Sequence, residues 1–157
     1  MDIDRLTKFL HQASMPHAHS TSNAKSMPDG STTITFADGD WSFHDNFFGG
    51  EPYGGRAVIH YKQKPVWMMV YYGQVHDTGL KPDDVYTFLR SALQHAPIDK
   101  PYRGPDNFTQ DNLTYRNKVE GNMRNYSGKE VILENGKEIF WTTYQGGLVD
   151  QQSGVGF

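Results

Sequence analysis

Two stretches of this chain repeat their apolar residues at helical spacing. Ile3, Leu6, Phe9, Leu10 and Ala13 line one face of a helix expected over residues 4–13, with Asp2 or Asp4 at its cap. Val85, Phe88, Leu89, Ala92 and Leu93 form a second stripe. Pro82 suits its first position, Asp83 and Asp84 suit the positive end of the helix dipole, and Pro97 ends it. Elsewhere the pattern changes to a period of two. It predicts strands over 32–36, 41–48, 57–61 and 66–72, and again near 112–119, 129–134 and 138–144. Residues 14–31, rich in Ser, His, Pro, Asn and Gly, read as a mobile loop, 49–55 as a Gly-rich turn, and the tail after Asp150 as frayed.

The strand pattern occurs twice in matching order. Residues 53–77 align without a gap onto 126–150, with identities at Tyr53/Tyr126, Gly55/Gly128, Ile59/Ile132, Lys64/Lys137, Tyr71/Tyr144 and Gly73/Gly146. Upstream, Asp45 falls on Asn117 and Gly49 on Gly121, while Phe9-Leu10 falls on Phe88-Leu89. The spacing is longer than the roughly 20–50 residues of solenoid and propeller repeats, so it indicates a duplicated half-domain. The hairpin over 57–72 turns at Lys62-Gln63-Lys64. Its counterpart turns at Asn135-Gly136, the preferred pair for a type I′ turn. The expected architecture is α+β: one domain of two α-β-β-β units, about 2–79 and 80–150, with both helices on one face of an antiparallel sheet. The other sheet face is left to loops or to a second subunit, as in a homodimer.

Composition narrows the chemistry. At 157 residues the chain is one domain, able to bury roughly 70% of its unfolded surface. A net charge of −3 with no block of like charges argues against direct nucleic-acid binding. The absence of cysteine excludes disulfides, zinc–thiolate sites and thiol nucleophiles. No leader-like pattern or membrane-length apolar run is present, which reads as a cytoplasmic, membrane-independent protein.

Alternation identifies the candidate site. In 66–72 one face carries Val66, Met68, Val70 and Tyr72, the other Trp67, Met69 and Tyr71. Both are apolar, so the strand is expected to be central and covered on both sides. Trp67/Tyr71 and Phe140/Tyr144 are matched aromatic pairs, either core packing or the walls of a crevice between the halves. Asp45 lies between Phe43 and Phe47, and Asn117 between Tyr115 and Val119. A polar residue in an apolar row needs a partner. That partner is either the backbone of the following turn or, for Asp45, a ligand or a proton in transfer. Glu51 and Glu130 are the nearest candidates for a second carboxylate. Arg103 either anchors an anion or braces its loop. His17 and His19 lack a third metal ligand, and no P-loop, dinucleotide fingerprint, HExxH or G-x-S-x-G motif is present. Neither a metal nor another cofactor is expected.

The run Phe48-Gly49-Gly50, Tyr53-x-Gly55, Lys64-Pro65-Val66-Trp67-x-Met69-x-Tyr71-Tyr72-Gly73, Arg103-Gly104-Pro105 and Tyr126-x-Gly128-x-Glu130 resembles a bacterial family, domain of unknown function 5680. The resemblance covers about residues 6–147, and the Pro-Val-Trp run is its most specific part. It implies a module of the kind found behind helix-turn-helix regulators, and it assigns no catalytic residues. Ala57 departs from the Glu expected there, whereas Glu130 retains the acid in the second unit. The leading expectation is a non-catalytic sensor holding a small molecule or protein partner at the junction of the units. Its site would comprise Asp45, Trp67, Tyr71, Arg103, Glu130 and Tyr144. The alternatives are a metal-independent hydrolase or transferase acting through Asp45 or Glu130, and a toxin- or immunity-type interaction domain using the uncovered sheet face.

Overall fold

A computed structural model describes residues 1–15 and 23–152. Helix α1 (Ile3–Ala13) begins at Asp2, whose carboxylate accepts from the Arg5 amide at 3.1 Å. Strands β1 (Lys25–Ser26), β2 (Thr32–Asp38), β3 (Trp41–Phe48), β4 (Tyr53–Tyr61) and β5 (Lys64–Val75) follow, then helix α2 (Pro82–Leu93). Strands β6 (Asn107–Gln110), β7 (Leu113–Asn122), β8 (Asn125–Glu134) and β9 (Lys137–Leu148) complete the chain. All nine strands form one antiparallel sheet in the order β1-β2-β3-β4-β5-β9-β8-β7-β6. Every strand therefore pairs with its neighbours in sequence except along β5–β9, where two meanders meet.

This inventory corrects the α+β class. Among the described residues two helices of 11 and 12 residues accompany nine strands, so the protein is largely β. The edge strands account for the undercount. β1 lies in the stretch read as a mobile loop and β6 in the loop after α2, and both are short and mostly polar. Edge strands need no apolar alternation, so the pattern that marks central strands does not mark them. Of the expected mobile loop, 16–22 lie outside the described residues, as do 153–157 of the expected frayed tail.

Residues directly opposite in antiparallel strands share a face. The registers Phe43↔Ile59, Ile59↔Trp67 and Trp67↔Leu148, with Tyr115↔Ile132 and Ile132↔Phe140, define the face that holds the core. Leu6, Phe9, Leu10 and Ala13 of α1 join Trp41, Phe43, Ile59 and Met69 in one cluster. Val85, Phe88, Leu89 and Ala92 of α2 join Tyr115, Ile132 and Phe140 in another. On the opposite face Val70, Tyr72, Thr143 and Gln145 are exposed. β5 is central, but Val70 and Tyr72 are 38% and 49% exposed, so the expected cover on both sides is absent from that part of the strand.

Two irregularities shape the central strands. The β4–β5 register shifts between Ile59 and His60, and the β8–β9 register between Ile132 and Leu133. Each shift is a bulge that adds one residue to the core side, Val66 beside Trp67 and Ile139 beside Phe140, all four buried. Val66 is thereby separated from Met68, contrary to simple alternation. No helix among the described residues is long and apolar enough to cross a membrane.

The two hairpin turns show a local conflict in one meander. Lys62 and Gln63 both have positive φ (49° and 66°), as do Asn135 and Gly136 (49° and 84°). Lysine and glutamine tolerate that region poorly, at a cost of order 1–3 kcal/mol per strained residue. Replacing them with the pair used by the other hairpin, Lys62→Asn with Gln63→Gly, is expected to raise unfolding stability by about 1 kcal/mol in urea titration.

Candidate functional site

Asp45 and Asn117, the polar residues in apolar rows, are each held by a tyrosine two strands away. Tyr71 on β5 lies across Gly55 of β4, and its hydroxyl donates to Asp45 Oδ1 on β3 at 2.6 Å. Tyr144 on β9 lies across Gly128 of β8, and its hydroxyl donates to Asn117 Oδ1 on β7 at 2.7 Å. Only glycine permits these crossings. A Cβ at Gly55 would stand 2.7 Å from the Tyr71 hydroxyl, and one at Gly128 would collide with the Tyr144 ring. Asp45 and Asn117 thus each have a tyrosine partner that neither sequence alternative named, and at Asp45 the Asn46 backbone amide bonds the carboxylate as well.

Beyond that shared contact the halves differ. Asn117 Nδ2 donates to the Gly104 carbonyl at 3.1 Å, so both ends of its amide are engaged. Opposite Asn117 in register is Glu130, which has no exposed surface. Its Oε1 accepts from Arg103 Nε at 2.9 Å and from a terminal guanidinium nitrogen at 2.5 Å, and its Oε2 accepts from the Tyr115 hydroxyl at 2.6 Å. The Gly104 amide donates to that hydroxyl at 3.0 Å. Burial disfavours the charged form of Arg103, yet the adjacent Glu130 holds its pKa well above the ordinary value. Burial and the same carboxylate push the Tyr115 phenol up.

In the other half Ala57 stands opposite Asp45, and Phe43 occupies the place of Tyr115. Where the second half holds an acid, an arginine and a phenol, the first opens into a cavity of about 910 Å³. Its floor is Phe43, Asp45, Phe47, Ala57, Met69 and Tyr71 from the sheet, and its sides come from α1, α2 and the loop carrying Tyr102 and Arg103. Glu51 stands on the rim, accepting from the Val75 amide at 2.8 Å and from the Tyr86 hydroxyl. The Tyr53 hydroxyl shares a hydrogen bond of 2.7 Å with Thr142 Oγ1. The Arg103 guanidinium lies over the Tyr71 ring, 5.8 Å from its centroid.

Burial raises the Asp45 carboxyl to about 6, against the opposing effects of the Tyr71 hydrogen bond and the Arg103 charge. Burial, then the Asp45 charge, push the Tyr71 phenol up, so that phenol is a donor throughout the neutral range. The site therefore offers one carboxylate able to exchange a proton near neutrality, one fixed donor beside it, and an apolar and aromatic wall.

Of the six residues chosen from sequence, Asp45, Tyr71 and Arg103 line the cavity. Trp67, Glu130 and Tyr144 do not. Trp67 is fully buried and stacks on Tyr126 at 5.7 Å, and Tyr144 is 2% exposed, so the crevice expected between them is packed core. Glu130 lies behind Arg103. Glu51 lines the same cavity as Asp45 but is engaged at the rim. Sequence reasoning missed Tyr53, Tyr86 and Tyr102. The one signal for Tyr86 was its place beside the apolar stripe of α2, four residues before Arg90, which also lines the cavity. His17 and His19 lie outside the described residues. Among the described residues no three His, Asp or Glu side chains group to hold a metal.

The raised carboxyl fixes the sign of a pH effect. Its folded pKa of about 6 exceeds the ordinary carboxyl value of 3.8, so folding binds a proton and ionisation opposes it. The penalty is absent below pH 4 and complete above pH 6. Asp45→Asn, which retains the acceptor for Tyr71, should melt above the wild type at pH 7.5, and the gap should close toward pH 4 in calorimetry.

No curated protein and no solved structure matches the chain. A family model described as a domain of unknown function, DUF5680, matches residues 45–149, from Asp45 through β9, and so includes both tyrosine crossings. Since the match spans more than half of the 157 residues, the chain belongs to the DUF5680 family.

Proposed function

We propose that this protein is a small-molecule binding module whose site is the cavity above β3, β4 and β5. The observation that carries this reading is the contrast between the halves at equivalent positions. A buried Arg103–Glu130–Tyr115 cluster fills one, and open space of about 910 Å³ lies above Ala57 in the other. That volume falls within the range of roughly 300–1,000 Å³ usual for small-molecule sites, and a few polar groups converge on an apolar wall as such sites require. The matched hairpins, bulges and tyrosine crossings support an origin in duplication of one unit, with binding confined to one copy. The site is accordingly displaced from the junction at β5–β9 toward the first unit.

Ala57 is the residue through which to test this. A fragment screen by thermal shift should find compounds that raise the melting temperature of the wild type and leave Ala57→Met unmoved, because the longer side chain occupies the cavity floor. Equal shifts in both proteins, or none in the wild type, would refute the reading.

A second reading, a hydrolase or transferase with Asp45 as general base, is favoured by one observation: a cavity-lining carboxyl raised to about 6. Glu130 is sealed behind Arg103 and is not a candidate base. On this reading a substrate found by hydrolase screening is turned over by wild type and at least a hundredfold more slowly by Asp45→Asn. Unchanged turnover in the variant would remove Asp45 from the chemistry.

A further inference from the structure

The halves also differ in which hydrogen-bonding groups they leave to be answered. In each, one side-chain oxygen accepts from the crossing tyrosine. In Asn117 the second group is an amide nitrogen, a donor, and it meets the Gly104 carbonyl, an acceptor. In Asp45 the second group is another acceptor oxygen; the residue lines the cavity, and besides the Tyr71 hydroxyl its carboxylate accepts from the Asn46 backbone amide. An ionised carboxylate has no hydrogen to donate, so whatever stands opposite that oxygen has to supply one.

Charge points the same way. Among the described residues, the charged side chains lining the cavity are Asp45, Glu51, Asp83, Arg90 and Arg103. Glu130 offsets Arg103 through two hydrogen bonds to one carboxylate oxygen. Arg90 lies on the exposed side of α2, donating to Thr87 Oγ1 at 3.2 Å. Among these described residues, three carboxylates stand against one uncompensated arginine, a balance that favours a cation. A carboxylate or phosphate ligand would meet Asp45 with like charge, while the buried guanidinium is already engaged. A neutral ligand would leave the desolvated Asp45 carboxylate with no counter-charge but Arg103, which Glu130 already holds. A protonated amine would supply both the charge and the hydrogen, and Tyr53, Tyr71, Tyr86 and Tyr102 line the cavity with rings whose faces attract cations. The remaining wall, Phe43, Phe47, Ala57, Met69 and Leu89, is apolar and suits a hydrocarbon or aromatic body.

We propose, on the reading that this cavity is a small-molecule site, that its ligand is an organic amine. The protonated nitrogen bonds to the Asp45 carboxylate where it faces the cavity, and the apolar body lies along Phe43, Phe47 and Met69. Arg103 is a positioning residue: held by Glu130 and lying over the Tyr71 ring, it fixes the tyrosine that orients Asp45.

Three probes of matched length separate the chemistries: 4-phenylbutylamine, 4-phenylbutanol and 4-phenylbutyrate, titrated calorimetrically into the full chain at pH 7.5. The expected result is binding of the amine, at least tenfold weaker binding of the alcohol, and none of the acid. Asp45→Asn, checked for an intact fold by circular dichroism, should weaken the amine at least tenfold and leave the alcohol unchanged. If the alcohol or the acid binds as well as the amine, or if Asp45→Asn leaves amine affinity intact, the amine assignment is overturned while the cavity remains a binding site. If none of the three binds, the amine assignment falls. Fragment shifts that are also absent, or insensitive to Ala57→Met, would then overturn the binding-site reading as well.

Discussion

A tyrosine lying across a glycine to reach a polar side chain two strands away is the constraint on which the sheet depends. It occurs once in each half, Tyr71 over Gly55 to Asp45 and Tyr144 over Gly128 to Asn117. Each crossing ties three adjacent strands through side chains, in addition to the backbone ladder. It also requires three residue types at once: a phenol long enough to span a strand, a glycine to clear its path, and an acceptor at the far end. Removing the phenol or the acceptor would leave a buried polar group unpartnered, at roughly 1–3 kcal/mol, and a side chain on the glycine would block the crossing. The polar groups beneath the helices are thus fixed to the rigid centre of the sheet, where rotamers are locked by packing.

With the scaffold held in this way, the two halves carry different residues at a few positions on the same frame. Glu130, Arg103 and Tyr115 form a closed cluster, a buried ion pair with a third hydrogen bond completing the carboxylate. Such a cluster offsets much of its own desolvation and adds rigidity more than net stability. Ala57 and Phe43 stand where the second half has the acid and the phenol, and Asp45 is a carboxyl where Asn117 is an amide. The outcome is one filled and one open position on a common frame. Arg103 takes part in both, since it closes the first and borders the second.

Much of this frame was legible in the chain. The helical stripes, the central strands and the hairpin at Asn135-Gly136 each follow from local rules of period and turn chemistry, and they fall where those rules place them. Asp45 and Asn117 stood out because a polar residue in an apolar row demands a partner. The partner itself was illegible, since Tyr71 is 26 residues away from Asp45 and reaches it only through strand register. The short polar edges β1 and β6 carry no alternation, and counting strands without them led to the wrong class. Trp67 and Tyr144 read equally well as core or as crevice because aromatic rows look alike in both. Their burial is decided by Tyr126, Tyr102 and the bulge at Val66, none of which the pattern of a single strand contains.

The strand order has a consequence for how the chain assembles. Eight strand pairings hold the sheet together, and seven of them join consecutive strands through short turns. The eighth, β5 with β9, closes a loop that contains α2 and the whole second meander. Contacts between sequence neighbours form early because little chain entropy is lost in closing short loops, whereas a distant pairing must wait for its ends to be organised. Each meander can therefore gather on its own before the two zip together along a single line. If the units arose by duplication, that line is where two separate copies of an ancestor would have met edge to edge, in a self-complementary dimer. The fusion would have turned a bimolecular encounter into a loop closure, and with the partner covalently guaranteed, one copy became free to lose its buried acid.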